Sequence, residues 1–235
     1  MREHDADLLH CNQTRAVMIA GPGARRARVP VVWNVLIRQE LPVAATMLAA
    51  RCAGRIITNA PDNLDDLPMA AALQAKTSFV PNGIDARRFS PEVDGSAVRA
   101  ELGVGTDDPV IVSVGVLSPR KGHEVLVRAT PRIIERHPTA RIVIVGGPPV
   151  DEDESHAGEL AKLAEGLGVG TSVTLLGRRE DMPELLAACD VFVLASRQEG
   201  SPAAVIEGMA TSRRVVVPPP AAAALSEEGL GLTVP

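Results

Sequence analysis

Two cations, Arg120 and Lys121, stand between a Val-rich run at Val110–Val114 and a helical pattern starting near Glu124. Gly115 precedes them and Gly122 follows, so the backbone there can approach a ligand closely. Cations at the end of a strand, just before a helix N-terminus, suit a phosphate or diphosphate. A solvated Arg-Lys pair is the alternative from spacing alone. A second such place is Gly177-Arg178-Arg179, after the run Ser172–Leu176. A third is Glu199-Gly200-Ser201-Pro202, after Val191–Leu194. Ser201 reads there as a helix N-cap and Pro202 as the first helical residue. Glu207 follows inside that helix, seven residues beyond Glu199. Two carboxylates so placed could accept hydrogen bonds from the hydroxyls of one polar ligand. A capping carboxylate and an exposed helix Glu would give the same spacing.

Other polar residues carry less. Asn34 stands near the end of the second apolar run, and His10 and Asn12 follow the first. His123, at a helix start, reads as solvated or capping. Arg25, Arg26 and Arg28 read as a solvated loop, and Arg213-Arg214 lies on the wrong edge of its strand. No Cys/His cluster or acidic metal motif is present, and no GxSxG elbow supports a serine hydrolase.

The elements that must position these residues alternate regularly. Strands are predicted at Ala6–Leu9, Val29–Leu36, Arg55–Thr58, Thr77–Val80, Val110–Val114, Arg141–Val145, Ser172–Leu176, Val191–Leu194 and Val215–Val217. Helices are predicted at Pro42–Cys52, Glu124–Glu135, Glu159–Leu167, Met182–Cys189 and Pro202–Ala210, with a short one near Ala97–Leu102. Nearly continuous apolar strands, separated by helices, point to an α/β doubly wound parallel sheet. In such sheets ligands bind beyond the carboxyl ends of the strands, where all three polar segments fall. Pro and Gly punctuate residues 81–108 as a linker and entry helix. The expected domains are 1–92 and 93–235.

Composition narrows the function classes. The chain has 235 residues, 24 Lys plus Arg against 29 Asp plus Glu, and a formal net charge of −5. That balance argues against a nucleic-acid protein. Three Phe, one Trp and no Tyr leave little for a base- or sugar-stacking platform. Cys11, Cys52 and Cys189 are an odd count, and the start MREHDADLLH does not read as a signal peptide, which predicts reduced thiols in a cytoplasmic protein. The apolar segment Leu41–Gly54 contains Arg51 and is too short to span a membrane, so it reads as a core helix. Peripheral contact with the inner membrane face stays open.

The segments VPNGIDARRFSP (80–91), SVGVLSPRKGHEVLVRA (113–129), RIVIVGG (141–147) and VTLLGRREDMPELLAACDVFVLASRQEGSPAAVIEGMA (173–210) closely resemble the retaining glycosyltransferases of family four. The resemblance covers roughly residues 5–217. It implies a GT-B fold of two Rossmann-like domains with a nucleotide-sugar site in the cleft between them. The N-terminal one would be partial. It implies sugar transfer with retention, without a metal or other cofactor, from a nucleoside-diphosphate sugar to an unknown acceptor: a glycan, lipid or small molecule. Lys121 then resembles the lysine that binds the donor diphosphate, and Glu199 the carboxylate that contacts the transferred sugar. Glu207 resembles the carboxylate that holds the ribose. Gly177 and Arg178 fall where the backbone meets the nucleobase, and Gly115 opens the diphosphate loop. In the segment Gly200–Pro202, Gly200 and Ser201 would present backbone N–H groups to the donor.

This chain departs from the family pattern at several places. Val116 stands where the family has an arginine, which leaves Arg120 as the candidate second cation. Asn34 stands nearest to an expected acceptor-side histidine. Ser212 and Arg214 replace a glycine and a proline, and PPPAAAA (218–224) replaces a glycine-rich loop. The chain would begin near the fourth strand of its first domain and stop before the closing helices. That reads as a truncated product, a fragment or half of a split enzyme with a complementary partner chain. A non-catalytic relative that binds nucleotide-sugar is the alternative function.

Overall fold

The structure is a computed structural model. It describes residues 5–36, 41–65, 67–149, 155–199, 201–219 and 232–233. The chain divides into two compact units, Met1–Asn82 and Gly83–Pro235, earlier than the expected 92/93 division. Segment 83–92 packs with the second unit, because Ile84 and Phe89 join its core.

In the first unit, β1 (Leu9–Asn12), α1 (Gln13–Ala27), β2 (Val31–Val35), α2 (Val43–Cys52), β3 (Arg55–Thr58), α3 (Ala70–Gln74) and β4 (Thr77–Phe79) follow in turn. The sheet is parallel, in the order β1-β2-β3-β4. Its core gathers Val17, Ala24, Trp33, Val35, Ile56 and Leu73, with Trp33 fully buried. Strand β1 starts at Leu9, where the sequence predicts Ala6–Leu9. Helix α1 is a correction: it runs through the Gly21-Pro22-Gly23 segment and takes in Arg25 and Arg26, with Arg28 as its left-handed C-cap. Gly21 is buried where α1 crosses α2, and an added Cβ would lie 2.8 Å from Cys52 Cβ. Pro22 faces outward, so its lost N–H weakens only the exposed side of the helix. Close packing overrides local helix propensity at this site.

In the second unit, α4 (Ser96–Glu101), β5 (Val110–Val114), α5 (His123–Arg136), β6 (Arg141–Val145), α6 (Ser155–Gly166), β7 (Val173–Leu175), α7 (Met182–Ala188), β8 (Val191–Val193), α8 (Ala203–Ala210), β9 (Arg214–Val217) and β10 (Leu232–Thr233) form a six-stranded layer system. The sheet is parallel, in the order β10-β9-β8-β5-β6-β7. Alternate residues of β5 and β6 face two separate cores. Val110, Val112, Val143 and Val145 pack with Leu185, Phe192 and Val205. Ile111, Ile142 and Ile144 pack with Leu126, Val127 and Leu160. A strand buried on both faces is apolar at nearly every position, hence the runs VIVSV and RIVIV; the buried hydroxyl of Ser113 in β5 is the polar exception and has a partner in His123. Strand β10 was not expected from sequence; it pairs with Val216 and Val217.

Helix α8 starts at Ala203, one residue later than predicted. Pro202 is its N-cap, and Ser201 is buried just before it. Ser212, where the resemblance implies a glycine, adopts φ +58° at the end of α8. Its N–H donates to Met209 O at 2.9 Å, and that of Arg213 to Gly208 O at 3.1 Å. This left-handed turn costs an L-residue about 1 kcal/mol that glycine escapes. No helix among the described residues is long and apolar enough to cross a membrane.

Candidate functional site

The second sheet reverses its direction of growth beside β5. The chain passes from β5 outward to β6 and β7, then returns to β8 on the other side of β5. Loops leaving β5 and β8 therefore diverge at their carboxyl ends, the crevice where open α/β sheets bind ligands.

Glycines shape the β5 loop. Gly115 N–H donates to Val145 O at 2.9 Å and Leu117 N–H to Gly147 O at 2.8 Å. Gly122 takes φ +66° as the N-cap of α5, and a Cβ on it would lie 2.1 Å from Ala195 O. The backbone of the β8 loop occupies that space. Arg197 N–H donates to Arg120 O at 3.0 Å, so the two loops are joined through their main chains.

The charged side chains meet on this base. Lys121 Nζ lies 2.5 Å from Glu199 Oε1, with the side chains only 15% and 9% exposed. Arg120 Nη1 lies 3.9 Å from the same oxygen and donates to Gln198 O at 3.0 Å. The aliphatic stem of Lys121 runs past Gly115, 3.2 Å from where a Cβ would sit. Two cations thus share one carboxylate beside the N-terminus of a 14-residue helix, whose dipole adds roughly half a positive charge. The local balance is positive, with Lys121 sheltered and Arg120 half-exposed, and it favours an anion. Arg120, Lys121, Glu199 and Gly115 form one cluster, although 78 residues separate Lys121 from Glu199.

Four neighbours had no sequence signal. Arg197 Nη2 donates to Glu124 Oε1 at 2.6 Å. Glu124 Oε2 and Ser196 Oγ are buried without a hydrogen-bond partner among the described residues. His123 corrects the expectation of a solvated or capping histidine. It is 1% exposed, and its Nδ1 lies 3.2 Å from Ser113 Oγ. Burial holds its pKa below the usual histidine value, which keeps the ring neutral under the loop. Neither loop contacts nor buried hydroxyls can be read from spacing.

The remaining candidates sit on other loops and elements. Gly177, at φ +69°, follows β7, and its carbonyl accepts from Gly146 N–H at 2.8 Å. The Arg178 guanidinium lies over Gly147 and donates to Pro148 O at 2.7 Å. Arg179 is held elsewhere, by Glu101 at 2.6 Å and Asp181 at 2.6 Å. Glu207 is half-buried on α8. Burial raises its pKa, and the Arg88 charge opposes that rise. Gly200 lies outside the described residues. In the first unit, Asn34 Nδ2 donates to Asn12 Oδ1 at 3.1 Å, at the carboxyl ends of β2 and β1. Among the described residues no group of three or more His, Cys, Asp or Glu could hold a metal ion.

Residues 108–235, more than half the chain, match the family model described as Glycosyl transferases group 1. The chain belongs to this family. A GDP-mannose-dependent alpha-(1-6)-phosphatidylinositol monomannoside mannosyltransferase of Mycolicibacterium smegmatis is 31% identical to this group 1 glycosyl transferase over 214 residues, 85% of this chain and 53% of that one. A D-inositol 3-phosphate glycosyltransferase of Mycobacteroides abscessus is 35% identical over 189 residues, 78% of this chain and 41% of that one. The chain spans about half the length of these curated relatives. Among solved structures, Anabaena Alr3699/HepE in complex with UDP superposes with a TM-score of 0.84 at 26% identity. The match covers 99% of this chain and 66% of that one. The two parallel α/β sheets are those of GT-B glycosyltransferases.

Proposed function

We propose that this chain carries the donor half of a sugar transfer from a nucleoside-diphosphate sugar to an acceptor, with retention at the anomeric carbon and no resident cofactor. The observation that carries the reading is the part-buried Lys121–Glu199 contact at the β5/β8 crevice, with Arg120 beside it. In this reading Lys121 and Arg120 bind the diphosphate, and Arg120 supplies the charge that Val116 does not. The α5 N-terminus adds its dipole as the leaving group gains charge. Glu199 accepts from hydroxyls of the transferred sugar, and Glu207 from the ribose. Gly177 and Arg178 border the base, while Gly115 and Ser201 offer main-chain approach. Asn34 faces the acceptor. Catalysis is then by positioning and electrostatics, with the acceptor attacking from the face the diphosphate leaves.

The matched relatives and the neighbouring structure support a nucleotide-sugar donor in general, since their names include both GDP-mannose and UDP. The acceptor is a glycan, a lipid or a small molecule, and the site of action is cytoplasmic, at or near the inner membrane face. A second reading is favoured by Val116, which is 39% exposed in the diphosphate loop where the family has arginine. It is a non-catalytic relative that holds nucleotide-sugar or works with a complementary chain. Donor turnover by the full chain, assayed with UDP- and GDP-sugars beside Lys121→Ala and Glu199→Ala, separates the two. Turnover lost in both variants supports the transferase. Nucleotide binding without turnover supports the second reading, and neither binding nor turnover sinks both.

A further inference from the structure

Arg179 stands in the loop from β7 to α7, two residues past Gly177, and its guanidinium is held by two carboxylates. Nη1 and Nη2 donate to the two oxygens of Glu101 at 2.6 and 2.9 Å, a fork closed across 78 residues of sequence. Nε and Nη2 donate to the two oxygens of Asp181 at 2.8 and 2.6 Å. Hydrogen bonds from this one arginine hold both carboxyls below the usual carboxylate range. A single exposed ion pair does little, but a bidentate fork within a network fixes geometry.

Asp181 is the N-cap of α7, where an aspartate ordinarily accepts from a free N–H of the first turn. It makes no such side-chain bond, and both its oxygens turn to Arg179 instead. Glu101 ends α4, a helix locked against the second core by buried Val98. Gly95 lets the start of α4 approach α7, since a Cβ there would lie 2.3 Å from Ala188 N, and Arg99 donates to Ala188 O at 2.8 Å. The other end of the loop is pinned as well. Gly177 O accepts from Gly146 N–H at 2.8 Å, and Arg178 donates to Pro148 O at 2.7 Å. The segment Gly177–Asp181 is thus tied to the β6 loop on one side and to α4 on the other.

We infer that Arg179, through Glu101 and Asp181, is a positioning residue that makes the site selective for one nucleobase. The inference rests on the reading in which Gly177 and Arg178 border the base. Main-chain groups held in one place accept one base geometry. A slack loop must order itself around that base and adapts as readily to another. Arg179 itself touches no ligand in this role.

The test is calorimetry of UDP and of GDP with the full chain, beside Arg179→Gln and Glu101→Gln. The wild type should prefer one nucleotide by about tenfold or more, and each variant should bring the ratio of the two dissociation constants to about threefold or less. The loss should fall on the preferred nucleotide. The double variant should lose no more than either single one, because both remove the same fork. A general loss of stability would weaken both nucleotides alike and leave the ratio unchanged, and circular dichroism establishes that each variant is folded. A wild type that binds both nucleotides without preference, or folded variants that keep its preference, overturns the inference and leaves the donor reading standing. Binding of neither nucleotide by the folded wild type overturns both.

Discussion

Lys121 already has a carboxylate at 2.5 Å, so a diphosphate that engages it must compete with Glu199. Removing the negative charge while keeping the shape should therefore strengthen nucleoside-diphosphate binding while it weakens transfer. For Glu199→Gln we expect UDP or GDP affinity to rise by about fivefold in calorimetry, consistent with the strength of a close, sheltered charge pair. Weaker binding would mean that Glu199 serves to hold Lys121 in place. His123 makes a pH prediction. Burial lowers its pKa below 6.5, so the unfolded chain binds the proton more readily than the folded one. Its contribution to stability is complete above 6.5 and is lost as pH falls from there through the folded value. The melting temperature of the wild type should drop over that window, and His123→Gln should flatten the drop. Residue types at this scale were legible in the sequence: Lys121, Arg120, Glu199 and Glu207 stood out by chemistry and by place after apolar runs. Glu124, Ser196 and the burial of His123 did not, because burial is set by what packs over a residue.

At the scale of elements, the site depends on main-chain contact between the β5 and β8 loops. Gly122 combines φ +66° with a Cβ position 2.1 Å from Ala195 O. Gly122→Ala should cost about 2 kcal/mol or more in chemical denaturation. It should also weaken nucleotide affinity more than Gly158→Ala, a helix position where an added Cβ meets nothing within 4 Å. Strand assignments were the most legible part of the fold, since β5 and β6 feed two cores and are apolar at all but one position each, Ser113 and Arg141. Helix α1 was illegible because Gly21 and Pro22 look like breakers until α2 is packed against them. Strand β10 was missed because a two-residue pairing carries no periodic pattern.

For the whole molecule, the proposed donor residues all fall within Gly83–Pro235, which has two cores of its own. A fragment beginning at Gly83 should fold and keep nucleoside-diphosphate binding within about threefold of the full chain, a change below 1 kcal/mol by the affinity relation. Calorimetry on the purified fragment checks this, and loss of binding in a folded fragment would assign part of the donor site to the first unit. The sequence by itself determined the parallel α/β alternation and the placing of cations and carboxylates just after apolar strands. Those features follow from local pattern, because a strand covered on both faces has little room for a charged residue until it ends. Only the tertiary structure decided that Lys121 and Glu199 share one crevice and that His123 lies beneath it. Residues 78 apart meet only because the chain crosses the sheet after β7 and sets β8 against β5, a pairing that no local spacing encodes.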